Sequence, residues 1–349
     1  MRIVDLRSDT VTKPSPDMWE CIRGMDNSML GDDVISEDPT VNALEEKAAQ
    51  ITGKESALLV TSGTQGNLVS LLSQTNPGDR ILLEELSHIY TNEVGGVARI
   101  GGLLISTYIS DNGTPLVKKI AEMINDKDDI HRPPTTLIGI ENTHNFHGGA
   151  IIEPDAIKEI QTFVLENNLK LHLDGARIFN AAVALDIPVT QITQYVDSVM
   201  FCLSKGLSCP VGSIVVGSKD FIQKARKYRK MLGGGMRQAG IIAAFGLVAL
   251  EDKWIKRLGE DHKNAKRLAE GLRGYDLSMN IFPTDTNILI IELSGKFHIL
   301  KIINALNKEG ILAYNISKEK IRFVTHYGIT EEDIDYSIEK IGEILKKHL

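Results

Sequence analysis

Apolar residues along this chain fall into short runs of strand length, separated by stretches with a helical period. Leu169, Leu171 and Leu173 alternate onto one face, Lys170 and His172 fall on the other, and the run breaks at Asp174. Val199-Met200-Phe201-Cys202-Leu203 is continuously apolar and breaks at Ser204-Lys205. Ser56 to Thr61, Ile81 to Glu84, Gly101 to Ser106 and Thr136 to Ile140 read as further strands. Helical spacing joins Val41, Leu44, Ala48 and Ile51, with Thr40 as the expected cap and Gly53 as the stop. Leu68 to Ser73 reads as a second helix. From about residue 251 the pattern gives an amphipathic helix over Trp254 to Leu272, a strand at Asn287 to Glu292, a helix at Ile299 to Leu306 and a strand at Ile321 to His326. Strands alternating with helices predict an α/β fold. The expected parts are an N-terminal arm (1–14), a large domain (15–250) and a small C-terminal α/β domain (251–349). The arm is read as unpacked because Arg7 to Thr10 is polar and Pro14 and Pro16 block a helix.

Composition narrows the class without naming it. The 349 residues are 42% hydrophobic and 24% charged, with no apolar run of membrane-spanning length. A net charge of −7 gives nucleic-acid binding no electrostatic support. Met1-Arg-Ile-Val-Asp5 lacks the apolar core of a signal peptide. Cys21, Cys202 and Cys209 are odd in number and carry no metal-ligand spacing, so reduced thiols in a cytoplasm are expected and no metal site.

Chemistry concentrates where apolar runs stop. Asp174 and Lys205 each end a predicted parallel strand, at the edge where open α/β sheets bind ligands. An acid and a lysine together are what pyridoxal 5'-phosphate (PLP) needs: the amine holds the aldehyde as a Schiff base, and the carboxylate keeps the ring nitrogen protonated. Alone, Lys205 would be an ordinary surface lysine. Ser62-Gly-Thr-Gln-Gly-Asn67 opens a helix, and its free backbone N–H groups at Gly63 and Thr64 suit a phosphate. Arg177 offers a planar fork for a carboxylate, or a salt bridge within the domain.

Three motifs, His172-Leu-Asp-Gly-Ala-Arg177, Cys202-Leu-Ser-Lys-Gly-Leu207 and Asp5-Leu-Arg-Ser-Asp-Thr-Val-Thr12, resemble the threonine aldolases. The resemblance runs from Asp5 to His326. It implies a fold type I PLP enzyme, aspartate-aminotransferase-like, with a mostly parallel seven-stranded sheet. It further implies that Ser8, Arg177 and Arg322 grip the substrate carboxylate, that His88 stacks on the cofactor ring, and that His131 lies near the substrate hydroxyl. Lys230 and Arg237 would reach a neighbouring subunit's phosphate in a homotetramer. Read from pattern alone, Arg322 simply faces solvent. The chain departs from the family at Ile35, where an aromatic residue is frequent, and at Ser208, where glycine is more frequent.

The implied reaction cleaves β-hydroxy-α-amino acids such as threonine or allo-threonine to glycine and an aldehyde. His88, His131 or a water would take the hydroxyl proton. The same residues would also serve a β-eliminating lyase, a dehydratase or a racemase, because the reactions differ in which bond at Cα is aligned. A binding protein on this fold would have no use for Lys205.

Overall fold

The computed structural model describes residues 2–275, 279–293 and 298–348. A two-residue strand, β1 (Val4–Asp5), opens the chain. The central sheet follows with β2 (Ser56–Val60), β3 (Arg80–Glu84), β4 (Leu104–Tyr108), β5 (Thr135–Glu141), β6 (Lys170–Asp174), β7 (Ser198–Cys202) and β8 (Ser213–Gly217). Its seven strands lie in the order β2-β8-β7-β6-β5-β3-β4. β8 runs antiparallel to both neighbours and the remaining pairs are parallel. Helices cover both faces, so β7 and β8 are buried along their whole length, which is why they read as unbroken apolar runs.

Register sets the site. Glu141 pairs with Asp174 and Asp174 with Met200, so the C-terminal ends of β5, β6 and β7 lie at one edge. A second sheet is antiparallel. Its strands β9 (Met279–Ile281), β10 (Ile288–Leu293), β12 (Tyr314–Asn315) and β13 (Lys320–Val324) lie in the order β9-β10-β13-β12, and β11 (Ile311–Leu312) pairs instead with β1. Among the described residues no helix is long and apolar enough to cross a membrane.

Three expectations are corrected. The helix that begins the large sheet's surroundings is capped by Asp38, which accepts from the N–H groups of Thr40 and Val41, with Pro39 in the first turn; Thr40 turns its hydroxyl to Met29 O instead. The stretch from Trp254 to Leu272 forms two helices, Asp252–Lys256 and Leu258–Arg273, that meet at Arg257. The N-terminal residues are a packed element, not a solvated arm. Val4 and Leu6 are fully buried in the core of the smaller sheet, beside Leu289, Ile311 and Phe323. Leu6 N–H donates to Leu312 O and Leu6 O accepts from Val324 N, so one residue ties β11 to β13.

Because Leu6 fills that core with no exposed surface, Leu6→Ala should cost about 2–5 kcal/mol. Equilibrium denaturation would measure it, with little change in the denaturant slope.

Candidate active site

Asp174 ends β6 almost wholly buried. Its Oδ2 accepts from Asn67 Nδ2 at 2.8 Å and its Oδ1 from Ala176 N at 3.1 Å. Asn67 lies in the helix Gly63–Gln74, whose N-cap is Ser62. That helix sits hard against the end of β7: a Cβ on Gly63 would lie 3.0 Å from Cys202 Sγ, and one on Gly66 would lie 2.5 Å from Met200 Cγ. A side chain at Gly66 would force Met200 to shift, and the close approach brings the free N–H groups of Gly63 and Thr64 to the sheet edge carrying Lys205. Lys205 is half-buried and makes no hydrogen bond or ion pair with another described residue. Its charge bears on both Asp9 and His88. The turn after it places Ser208 at φ 66°, buried, with its N–H on Lys205 O. That left-handed backbone gives a physical reason for glycine to be favoured there.

Opposite Lys205, the arginines converge. Arg177 donates from Nε to Asp9 Oδ2 at 2.7 Å and from Nη2 to Asp9 Oδ1 at 2.8 Å. Its side-on fork is therefore already filled by a buried acid, the intradomain bridge that competed with substrate binding in the sequence. Burial opposes the charge on Asp9, but Arg177 outweighs it and holds the carboxyl well below its usual range. Arg322 is mostly buried, so the solvent-facing reading of it is overturned. Its Nη1 donates to Asn145 Oδ1 at 2.8 Å, and Arg177 Nη1 approaches the same oxygen at 3.4 Å. Arg322 Nε is buried without a partner. Burial, with Arg177 adding to it, lowers Arg322 to about 10. Two guanidiniums thus share one asparagine oxygen and one acid. Ser8 lies in the same segment as Asp9, nearly buried, with Oγ accepting from Thr10 N at 3.2 Å.

His88 donates from its backbone N to Glu141 Oε2 at 2.7 Å, and its Nδ1 meets Glu93 Oε1 at 2.9 Å. Burial opposes charge on this imidazole, yet the bond to Glu93 and the negative charges of Asp174 and Glu93 together outweigh it and raise its pKa. Nε2 has no hydrogen-bond partner among the described residues. His131 does not join the cluster. It is exposed on the turn before β5, its backbone N on Asp129 Oδ1. It lies at the start of the strand that ends in Glu141, roughly 20 Å along the sheet from Asp174 by strand rise. Lys230 and Arg237 are exposed; Arg237 pairs with Asp32 at 2.6 Å, and Lys230 lies near the same acid. Neither contacts Asp174 or Lys205 within the chain. Ile35, at the end of a short turn, is 63% exposed.

Five contributors were not assigned from sequence. Asp9 and Asn67 stood inside quoted motifs, and Glu141, with Asn145 shortly after it, ends the apolar run of Thr136 to Ile140, whereas Glu93 carried no local signal. Two groups hold ligand atoms within 4.8 Å of one another, a spacing open to a metal ion: His88, Glu93 and Asp174, and Glu84, His144 and His147. In the second, Glu84 takes His144 Nε2 at 3.1 Å and His147 Nε2 at 3.2 Å, along with Leu86 N and Ser110 Oγ. Its carboxylate is already saturated by donors, and it braces the turn that presents Asn145.

A lysine and a buried acid at neighbouring strand ends, facing a helix N-terminus and two arginines, define the fold type I class of PLP-dependent enzymes. The beta-eliminating lyase family model matches residues 5–295. The chain is 44% identical to the probable low-specificity L-threonine aldolase 2 of Arabidopsis thaliana, over 99% of this chain and 98% of that one. It is 42% identical to the low specificity L-threonine aldolase of Escherichia coli K12, over 95% and 96%. In structure it resembles a threonine aldolase of Leishmania major, with a TM-score of 0.83 at 20% identity over 98% of each chain. The chain belongs to the threonine aldolases of the beta-eliminating lyase family.

Asp9→Asn leaves Arg177 buried without its counter-charge, so it should destabilise the fold by about 3–5 kcal/mol. Asp9 is depressed in the folded state, so its contribution is present above the ordinary carboxyl pKa of about 4 and is lost as acid titrates the pair. Unfolding curves for wild type and variant should therefore lie furthest apart near neutral pH and converge in acid.

Proposed function

We propose that this chain is a PLP-dependent low-specificity aldolase that cleaves L-threonine, L-allo-threonine and related β-hydroxy-α-amino acids to glycine and an aldehyde. The observation that carries the reading is the pair of arginines, the buried Arg177 and the mostly buried Arg322, of which only Arg177 is paired with an acid, Asp9, and Arg322 keeps a buried guanidinium N–H unpaired. A buried cation excess of this kind calls for an anion. The α-carboxylate of an amino acid supplies it.

The donor set fits PLP. The unpartnered amine of Lys205 would hold its aldehyde, Asp174 its ring nitrogen, the N–H groups of Gly63 and Thr64 its phosphate, and His88 would lie over its ring. When bound, the cofactor supplies a conjugated sink for the electron pair left at Cα. This chain's residues do the rest. Arg322 and the outer N–H groups of Arg177 fix the carboxylate, with the Ser8 hydroxyl at its edge, and so choose which bond at Cα stands in line for cleavage. His88, held through Nδ1 by Glu93, presents Nε2 to take the β-hydroxyl proton. Within this chain His131 lies at the other end of β5, so it would reach such a site only from a neighbouring subunit. Protonation at Cα then completes glycine.

The working form we propose is a cytoplasmic homotetramer, a dimer of dimers, in which Lys230 and Arg237 reach a neighbour's phosphate. Their exposure and their distance from this chain's own Lys205 support that assignment. The large and small domains would meet near residue 250, with the N-terminal segment closing onto the small one.

Products formed from L-threonine and from L-allo-threonine test the reading. Glycine and acetaldehyde are expected from both, and Lys205→Ala should reduce either rate to background. Ammonia with 2-oxobutyrate would instead assign a dehydratase. Arg322→Leu should raise KM roughly 10- to 100-fold, the loss of one charge-assisted carboxylate contact.

A further inference from the structure

Behind Asp174 runs a chain of buried side chains that the proposed reaction does not use. Asn67 Nδ2 donates both to Asp174 Oδ2 and to Glu93 Oε1, each at 2.8 Å. Asn67 Oδ1 faces His172 Nε2 at 3.1 Å, His172 Nδ1 meets Ser198 Oγ at 2.8 Å, and Ser198 Oγ accepts from Gln74 Nε2 at 2.8 Å. Asn67, His172 and Ser198 are almost wholly buried, so no water stands in for a missing partner.

Hydrogen-bond chemistry fixes the direction of every link. Turning the Asn67 amide over would set its oxygen against two carboxylate oxygens, so its NH2 must face Asp174 and Glu93. Its oxygen then requires a donor from His172, which makes Nε2 the protonated nitrogen and Nδ1 an acceptor. Nδ1 must in turn receive the Ser198 hydroxyl hydrogen. The far end agrees independently: Gln74 Nε2 also donates to Ser70 O, so it is the NH2 of Gln74 that faces Ser198. Burial lowers the His172 pKa to about 4, which keeps the ring neutral at physiological pH.

We propose that Asn67 and His172 are positioning residues, a one-way relay that holds Asp174 as acceptor toward the cofactor nitrogen and couples it through Glu93 to His88. Because Asn67 divides its two N–H groups between the acids, the group that would hold the ring nitrogen and the group that orients the base are set by one amide. The lone pairs of Asp174 not used by Asn67 and Ala176 remain for the ring. The proposal rests on the PLP reading for its function, but the tautomer it requires does not.

Selective 15N labelling of histidine in the wild-type protein, with and without PLP, reads that tautomer: His172 should be protonated on Nε2 and should not titrate above about pH 5. A proton on Nδ1, or an imidazolium near neutral pH, would overturn the relay. In variants, His172→Phe leaves Asn67 free to turn and should weaken PLP binding about tenfold or more, with altered long-wavelength absorbance of the bound cofactor. His172→Gln, whose amide can still donate to Asn67 Oδ1, should restore affinity and spectrum to within a few-fold. Wild-type affinity and absorbance in a folded His172→Phe protein would refute the positioning role. If His172→Phe does not fold, the tautomer and the spectrum of His172→Gln decide. Failure of the wild-type protein to take PLP would remove the cofactor reading itself, while the labelling result would still judge the relay.

Discussion

The buried pair of Asp9 and Arg177 is the interaction on which this architecture turns. One partner comes from the N-terminal segment and the other from the end of β6, 168 positions apart. Between them they dock the first residues of the chain across the central sheet, while Val4 and Leu6 anchor the same residues in the smaller sheet's core. Asn287, beside β10, adds a third attachment by donating to Asp9 Oδ2 at 3.3 Å. An isolated ion of either sign would be costly at this depth. The pair offsets that cost for Arg177 and leaves the charge of Arg322 to be met by whatever anion enters. In the proposed reading, substrate affinity and the docking of the N-terminus thus draw on the same electrostatic balance.

Much of the fold was legible because parallel strands buried on both faces must be apolar until they reach the sheet edge. The polar residues that end them, Asp174 and Lys205, are therefore visible as interruptions. Helix stops were legible too: Gly53 takes the left-handed conformation expected of it, at φ 65°. The N-terminal strand was hidden for the opposite reason. Two paired residues give no period, and the polar run from Arg7 to Thr10 next to them resembles a solvated terminus. Asp38-Pro39 held the true capping signal, with Asp38 three positions ahead of Val41, where the apolar period begins.

The site divided along the same line. Residues proposed to meet the ligand sit in contiguous motifs, so Ser8, Gly63, Thr64, Asp174, Arg177 and Lys205 could be found together. Residues that hold those groups in place act across long separations. Asn67 and Asp174 are 107 positions apart and His88 reaches Glu141 across 53, and neither spacing has a period to read. His131 rested on resemblance alone: nothing local distinguishes a loop before a strand from a loop after it, and within this chain that difference sets it at the opposite edge of the sheet from Asp174.

Arg177 brings these strands together. In sequence its fork was either a substrate grip or an internal bridge; the geometry shows the bridge and leaves its outer N–H groups for the proposed grip. Nε and one Nη2 hydrogen are committed to Asp9, while the outer N–H groups remain beside Asn145 and Arg322. A guanidinium clamped side-on cannot swing, so a carboxylate received end-on, as proposed, would be held at a fixed angle. Orientation at Cα selects the bond that breaks, so the rigidity conferred by Asp9 bears on reaction specificity as well as on stability. This gives a physical reason for an enzyme of this class to bury an acid next to the arginine that must bind one.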